Sequence, residues 1–174
     1  MAREQETLFA ELEPAQTAMA SQLELKVGAL LSRAGTVNVL TTVDDRGVPH
    51  TVPVASLRIG EDGNLVLLEL LESSRTSRNL VRSLWYDRPV SVLVVGAGRE
   101  AYEIRGVPLK TYVSGPTYQR EYEAVRKDLG DVDLAAVWII RPDEVHDESR
   151  IARQREEREQ HPFFAHLDRL VKAS

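Results

Sequence analysis

Apolar residues recur every three or four positions from about Thr17 to Arg33, placing Leu23, Val27, Leu30 and Leu31 on one face, so this stretch is expected to be helical. Residues Glu4 to Glu13 carry a similar helical pattern, and Pro14 separates the two. Gly35 is placed to cap the second helix. The pattern then turns extended. Thr36 to Val43 is a β-branched run, Asp44-Asp45-Arg46-Gly47 a turn, and Val48 to Ile59 a second arm, which together predict a long β-hairpin. Gly60 to Asn64 turns the chain into a strand over Leu65 to Leu71. From Arg75 the helical spacing returns, with Arg75, Arg78 and Arg82 on one side and Leu80, Val81, Leu84 and Trp85 on the side expected to be buried. After Arg88-Pro89 come a strand over Val90 to Val95, a turn at Gly96-Ala97-Gly98, and a long strand from Arg99 to Val113 with a bulge expected near Arg105-Gly106. Pro116 opens a helix that runs to Leu129, and Leu134 to Ile140 is the last strand of the core. The expected fold class is α+β, mainly β with helices: six antiparallel strands with few crossovers, rolled into a barrel and flanked by N- and C-terminal helices.

Two prolines qualify the hairpin. Pro49 and Pro53 are four residues apart, so their missing N–H groups lie on the same edge of the second arm, and that edge cannot be fully paired. It is a place where the sheet separates, a place where something other than protein meets the backbone, or a plain edge strand. From Asp147 the composition shifts to dense charge over Arg150 to Gln160, followed by a short helical pattern from His161 to Leu170. Its adjacent Phe163 and Phe164 need cover, from the same barrel or from a second subunit. The expected organisation is an N-terminal helical segment (1–34), the barrel (35–147) and a C-terminal helical extension (148–174).

Composition narrows the chemistry. A chain of 174 residues suits one compact domain. With 22 basic and 27 acidic side chains the formal charge is −5, which disfavours a nucleic-acid partner and points to a small one. There is no long apolar run and no pattern resembling a secretory leader, so no membrane association and a cytoplasmic location are expected. With no cysteine, the chain has no thiolate for nucleophilic or redox chemistry, which would have to come from a bound cofactor. His50, His146, His161 and His166 are scattered and lack metal-ligand spacing, so no metal site is expected. His50 lies in the hairpin arm near the proposed cleft, where it could tune or protonate a cofactor; a hydrogen-bonding surface role is favoured and no catalytic role is assigned. No serine elbow or dinucleotide fingerprint is present, and Asp44-Asp45 and Glu156-Glu157 fit solvated surface. Trp85 and Trp138 lie among aliphatic neighbours and fit core or interface rather than ring stacking. No catalytic constellation is found.

One stretch stands out. In Glu72-Ser73-Ser74-Arg75-Thr76-Ser77-Arg78-Asn79-Leu80 a strand gives way to a helix whose start is surrounded by hydroxyls and guanidiniums. Free N–H groups at a helix start attract anions, so this is a candidate phosphate cradle; the alternative is an ordinary N-cap serine with a solvated basic face.

Taken in order, an N-terminal helix, a hairpin, a strand ending in Ser74-Arg75-Thr76, a helix with Asn79-Leu80 and a late Ile104-Arg105-Gly106 strand resemble the FMN-binding split barrels, the pyridoxamine 5'-phosphate oxidase-like family. The resemblance extends over His50 to Leu57 and on to Gly115-Pro116. It implies a split barrel that binds FMN and acts as an oxidoreductase or electron carrier. It further implies a phosphate held by Ser74, Arg75 and Thr76, with help from Ser77 and Arg78. The ring would lie along Val54, Ala55 and Ser56 and, mainly through backbone groups, Glu69 and Leu70. A homodimer with the flavin at the subunit interface is implied as well. The Arg and His substrate motif of vitamin B6 oxidases is not recognisable, so that chemistry is not expected. Glu72 beside the phosphate segment would repel a phosphate unless it points away, and it supports a second reading, a non-enzymatic ligand-binding or assembly protein on the same barrel.

Overall fold

The structure is a computed structural model that describes residues 17–162; the patterns at Glu4 to Glu13 and beyond Pro162 lie outside the described residues. Residues 17–31 form helix α1, with a π turn at Glu24–Gly28 that the sequence spacing does not announce. Leu23, Val27 and Leu30 are buried as expected, and Gly35 sits in the turn after the helix at a φ of 82°. Strands β1 (Val37–Val43), β2 (Pro49–Pro53), β3 (Leu57–Ile59) and β4 (Leu65–Glu69) precede helix α2 (Arg75–Trp85). Strands β5 (Val90–Val95) and β6 (Ala101–Tyr112), helix α3 (Gly115–Leu129), strand β7 (Ala136–Asp147) and helix α4 (Arg150–Gln160) follow among the described residues.

The strands form one antiparallel sheet of seven, in the order β2-β1-β5-β6-β7-β4-β3. The sixfold expectation fails at a single point. The arm from Val48 to Ile59 is two strands: β2 pairs with β1, whereas β3 pairs with β4 at the opposite edge of the sheet. Only Val54, Ala55 and Ser56 join them, so Pro53 and Leu57 lie within about 14 Å of each other. A flat sheet of seven strands spaced about 4.8 Å apart would hold its edges farther apart than that. The sheet is therefore curled into a half-barrel whose two edges meet at the 54–56 link.

Burial follows this shape. Alternate residues of β1 and β5 point inward, and Leu40, Val90, Val92 and Val94 join Leu57, Leu67, Leu80, Ile104, Trp138 and Ile140 in the core inside the curl. On the outer face α3 covers β4 and β7, where Val66, Val137 and Ile139 pack with Val125 and Leu134. That second layer explains why Ala136 to Ile140 is buried on both faces and is apolar without alternation. The β6–β7 register shifts between Arg105 and Gly106, as the sequence suggests. A Cβ on Gly106 would lie 2.1 Å from the Arg141 carbonyl oxygen, so only glycine fits this crossing. One expectation about α2 is overturned: Leu80 is fully buried, but Val81 and Trp85 are exposed, at 41% and 78%. The buried stripe instead carries Thr76, Asn79, Leu80 and Ser83: α2 packs on β1, β2 and β6, where Leu80 enters the core and Asn79 meets the buried Thr42 hydroxyl.

Candidate functional site

The open seam of the half-barrel holds a cavity of about 1180 Å³. Its walls are β2, the 54–56 link, the ends of β3 and β4, the start of α2 and one face of α3. All eight residues singled out from the sequence line it: Val54, Ala55, Ser56, Glu69, Leu70, Ser74, Arg75 and Thr76.

The wall at β2 is an unpaired strand edge. The Val54 N–H donates to the Asn38 carbonyl at 2.8 Å, and the alternation of an antiparallel ladder turns His50 and Val52 the same way. Pro49, Thr51 and Pro53 therefore face the open edge, which offers carbonyls and a single N–H; of these three, Pro53 lines the cavity. The prolines keep another strand from adding there. At the opposite edge Ser56 substitutes for a strand residue: its hydroxyl donates to the Leu68 carbonyl at 2.8 Å and accepts from the Leu68 N–H at 3.2 Å. The Ser56 side chain is thus tied to β4, while Val54, which also packs against the core, and Ala55 line the cavity beside it.

The start of α2 forms the polar end. Ser74 is the N-cap and accepts from the Ser77 N–H at 2.8 Å; the same hydroxyl donates to Glu69 Oε2 at 3.2 Å, and Glu69 Oε1 accepts from the Leu71 N–H at 3.0 Å. The first N–H groups of the helix, on Arg75 and Thr76, have no partner within it. Arg75 is exposed at the rim and forms no ion pair or hydrogen bond among the described residues. Its charge reaches Asp44, whose carboxyl is held below the usual range by the Val48 N–H, against an opposing effect of burial, and then by the Arg46 N–H and the charges of Arg46 and Arg75. Thr76 is buried, with its hydroxyl 3.4 Å from His50 Nε2. Behind it, Asn79 Nδ2 donates to the fully buried Thr42 Oγ1 at 2.9 Å, and Thr42 donates to the His50 carbonyl at 3.4 Å. This chain of polar groups fixes α2 against β1 and β2. Arg78, by contrast, donates to the Ser73 carbonyl and stays outside the cavity, as does Ser77. Glu72 is exposed and does not line the cavity either.

Sequence reasoning missed the far wall. Glu121, Ala124, Val125, Asp128 and Leu129 of α3 face the cavity, and Glu121, only 7% exposed, accepts from Arg58 of β3 at 2.6 Å. The signal was there. Tyr118, Glu121, Tyr122 and Val125 follow the i, i+3, i+4, i+7 spacing of a buried stripe, and a carboxylate on such a stripe needs a cationic partner. His50, read as near the cleft with a surface role favoured, also lines the cavity. Among the described residues no group of three or more His, Asp or Glu side chains is placed to hold a metal, and no helix is long and apolar enough to cross a membrane.

A curled antiparallel sheet with its edges joined by a short link, and a cavity between that seam and a helix start, defines the split-barrel fold of the pyridoxamine 5'-phosphate oxidase-like proteins. No protein-family profile and no curated protein matches the sequence. Among solved structures the chain is similar to an FMN-binding protein from Syntrophomonas wolfei, with 13% identity over 82% of this chain and 97% of that one and a TM-score of 0.61. It is also similar to HupZ of Group A Streptococcus, with 19% identity over 72% and 94% and a TM-score of 0.60. A protein from Listeria innocua assigned as a pyridoxamine 5'-phosphate oxidase shows 23% identity over 72% and 98% with a TM-score of 0.55. At these identities the likeness is one of fold.

Proposed function

We propose that this chain binds FMN in the seam cavity and works as an oxidoreductase or electron carrier, as a homodimer. The observation that carries the reading is the meeting, in one cavity, of an unpaired strand edge with a helix start that bears an uncommitted arginine. A phosphate fits the second feature, through the Arg75 guanidinium, the Thr76 hydroxyl and the free N–H groups at the helix start. A flat, largely apolar ring fits the first, against Val54, Ala55 and the backbone of Glu69 and Leu70. The volume lies at or above the upper end of the roughly 300–1,000 Å³ of ordinary ligand cavities, leaving room for a second molecule beside a flavin. Bound there, FMN would supply hydride or electron transfer, which the cysteine-free chain has no side chain to perform. The homodimer is supported by Leu71 and Leu129, which stand 66% and 58% exposed on the cavity rim and need cover. That a similar structure is an FMN-binding protein adds to the reading.

A second reading, a non-enzymatic ligand-binding or assembly protein on the same fold, draws on the commitment of the Ser74 hydroxyl to Glu69. Mass spectrometry of the small molecule released from natively purified protein separates the two. Recovery of FMN supports the first reading, and recovery of a different phosphate-bearing ligand supports the second. Light scattering on the same sample tests the dimer, and a monomer mass would remove it.

A further inference from the structure

The geometry points to Glu69 as the residue that sets how tightly the cavity holds a phosphomonoester, an inference that rests on the flavin-phosphate reading above. Glu69 ends β4 at the cavity wall, and its carboxylate is fastened to the turn before α2: one oxygen accepts from the Leu71 N–H at 3.0 Å and the other from the Ser74 hydroxyl at 3.2 Å. Ser74 is itself the N-cap, accepting from the Ser77 N–H. A carboxylate of the chain's own therefore lies against the end of the helix where an anion is favoured.

Two consequences follow. The proton of the Ser74 hydroxyl is directed to Glu69 and its oxygen accepts from Ser77, so this hydroxyl is not free to donate to a phosphate; the task falls to Arg75, Thr76 and the free N–H groups. Second, a phosphomonoester bound there carries close to two negative charges beside a third, and the repulsion weakens its binding. Glu72, from which the sequence predicts that repulsion, is exposed and outside the lining, so the role passes to Glu69. A neutral isoalloxazine ring feels this charge far less than a phosphate does. Glu69 thus tunes the grip on the phosphate more than the grip on the ring.

The substitution Glu69→Gln removes the charge and, by reversing the bond to Ser74, also releases the Ser74 proton; the salt dependence reads out the charge. The new amide oxygen can still accept from the Leu71 N–H, and the amide nitrogen can donate to the Ser74 oxygen. FMN and riboflavin, which lacks the phosphate, are titrated separately into the wild-type protein and E69Q, following quenching of flavin fluorescence at low and high salt. FMN affinity is expected to rise about fivefold or more in E69Q at low salt, with the gain shrinking at high salt, while riboflavin affinity changes several-fold less. FMN affinity in E69Q equal to or below wild type overturns the inference and leaves the flavin reading standing. So does an equal gain for riboflavin, because the effect would then act on the ring. No saturable flavin binding by either protein overturns both.

Discussion

The body of the sheet and its seam follow opposite rules. In the body, β6 and β7 are both 12 residues long and pair along most of their length, which gives the curl a rigid back. At the seam, β2 has five residues and β3 three, each paired on one side only, and what replaces the missing ladder is a set of side-chain bonds. Ser56 to β4, Glu69 to Ser74, Asn79 to Thr42 and Arg58 to Glu121 do there what backbone pairing does elsewhere. The lesson is that the cavity exists because pairing stops, and its shape is held by polar contacts that a ligand can compete with or complete. The body should accordingly govern stability and the seam should govern binding.

The largest effect that would sharpen this contrast is in the body. Trp138 is 1% exposed within the core, and Trp138→Ala should cost about 3–5 kcal/mol, lowering Tm by roughly 6–20 °C. Thermal unfolding measures it, and a change of a degree or two would show that the core is not where stability resides. At the seam, Arg75→Ala should weaken FMN by about 1.5–3 kcal/mol with Tm of the ligand-free protein little changed, because Arg75 holds no partner among the described residues. Unchanged affinity would mean that the phosphate is placed wrongly.

Smaller effects follow. Ser74→Ala removes both the cap of α2 and the anchor of Glu69, and should cost about 1 kcal/mol of stability in a denaturant titration. A loss of flavin affinity as large as that of Arg75→Ala would instead make Ser74 a direct phosphate ligand. The smallest effect is acid sensitivity along the β6–β7 ladder. Burial would raise the Glu103 carboxyl, but the Ser91 hydroxyl and Arg105 outweigh it and hold it low; His146, and then Arg105, hold Glu144 low. Carboxyls lowered in the folded state add stability that is complete above their ordinary value of 4.5 and is lost as pH falls below it through the folded values. Tm should therefore be flat above about pH 5.5 and decline below about pH 4.5. In Glu103→Gln that decline should be shallower, and an unchanged slope would place the acid-sensitive groups elsewhere.

Much of this was legible in the sequence, and the gaps have physical causes. A β-branched run marked β1, Ser74 announced the start of α2, and Arg105-Gly106 announced the bulge, because each is a local signal. The spacing of Pro49 and Pro53 gave the unpaired edge. What local signals cannot carry is where a strand finds its partner: Val48 to Ile59 looks like one arm, and only long-range pairing divides it between the two edges of the sheet. The same limit hid the α3 wall, which enters the site through the Arg58–Glu121 contact, 63 residues apart. Trp85 was misplaced because an amphipathic pattern shows that a helix has two faces, while the surface it meets decides which is buried. Here that surface offers the buried Thr42 hydroxyl beside the core, so Asn79 and Leu80 turn inward and Trp85 outward.

The central claim, that the unpaired seam is a flavin site, is tested most directly by titrating FMN into the purified protein and recording the visible spectrum and the flavin fluorescence. The account predicts saturable binding in the micromolar range, approaching one flavin per chain, with a shifted, structured visible band. A spectrum identical to free FMN, with no saturation, would contradict it.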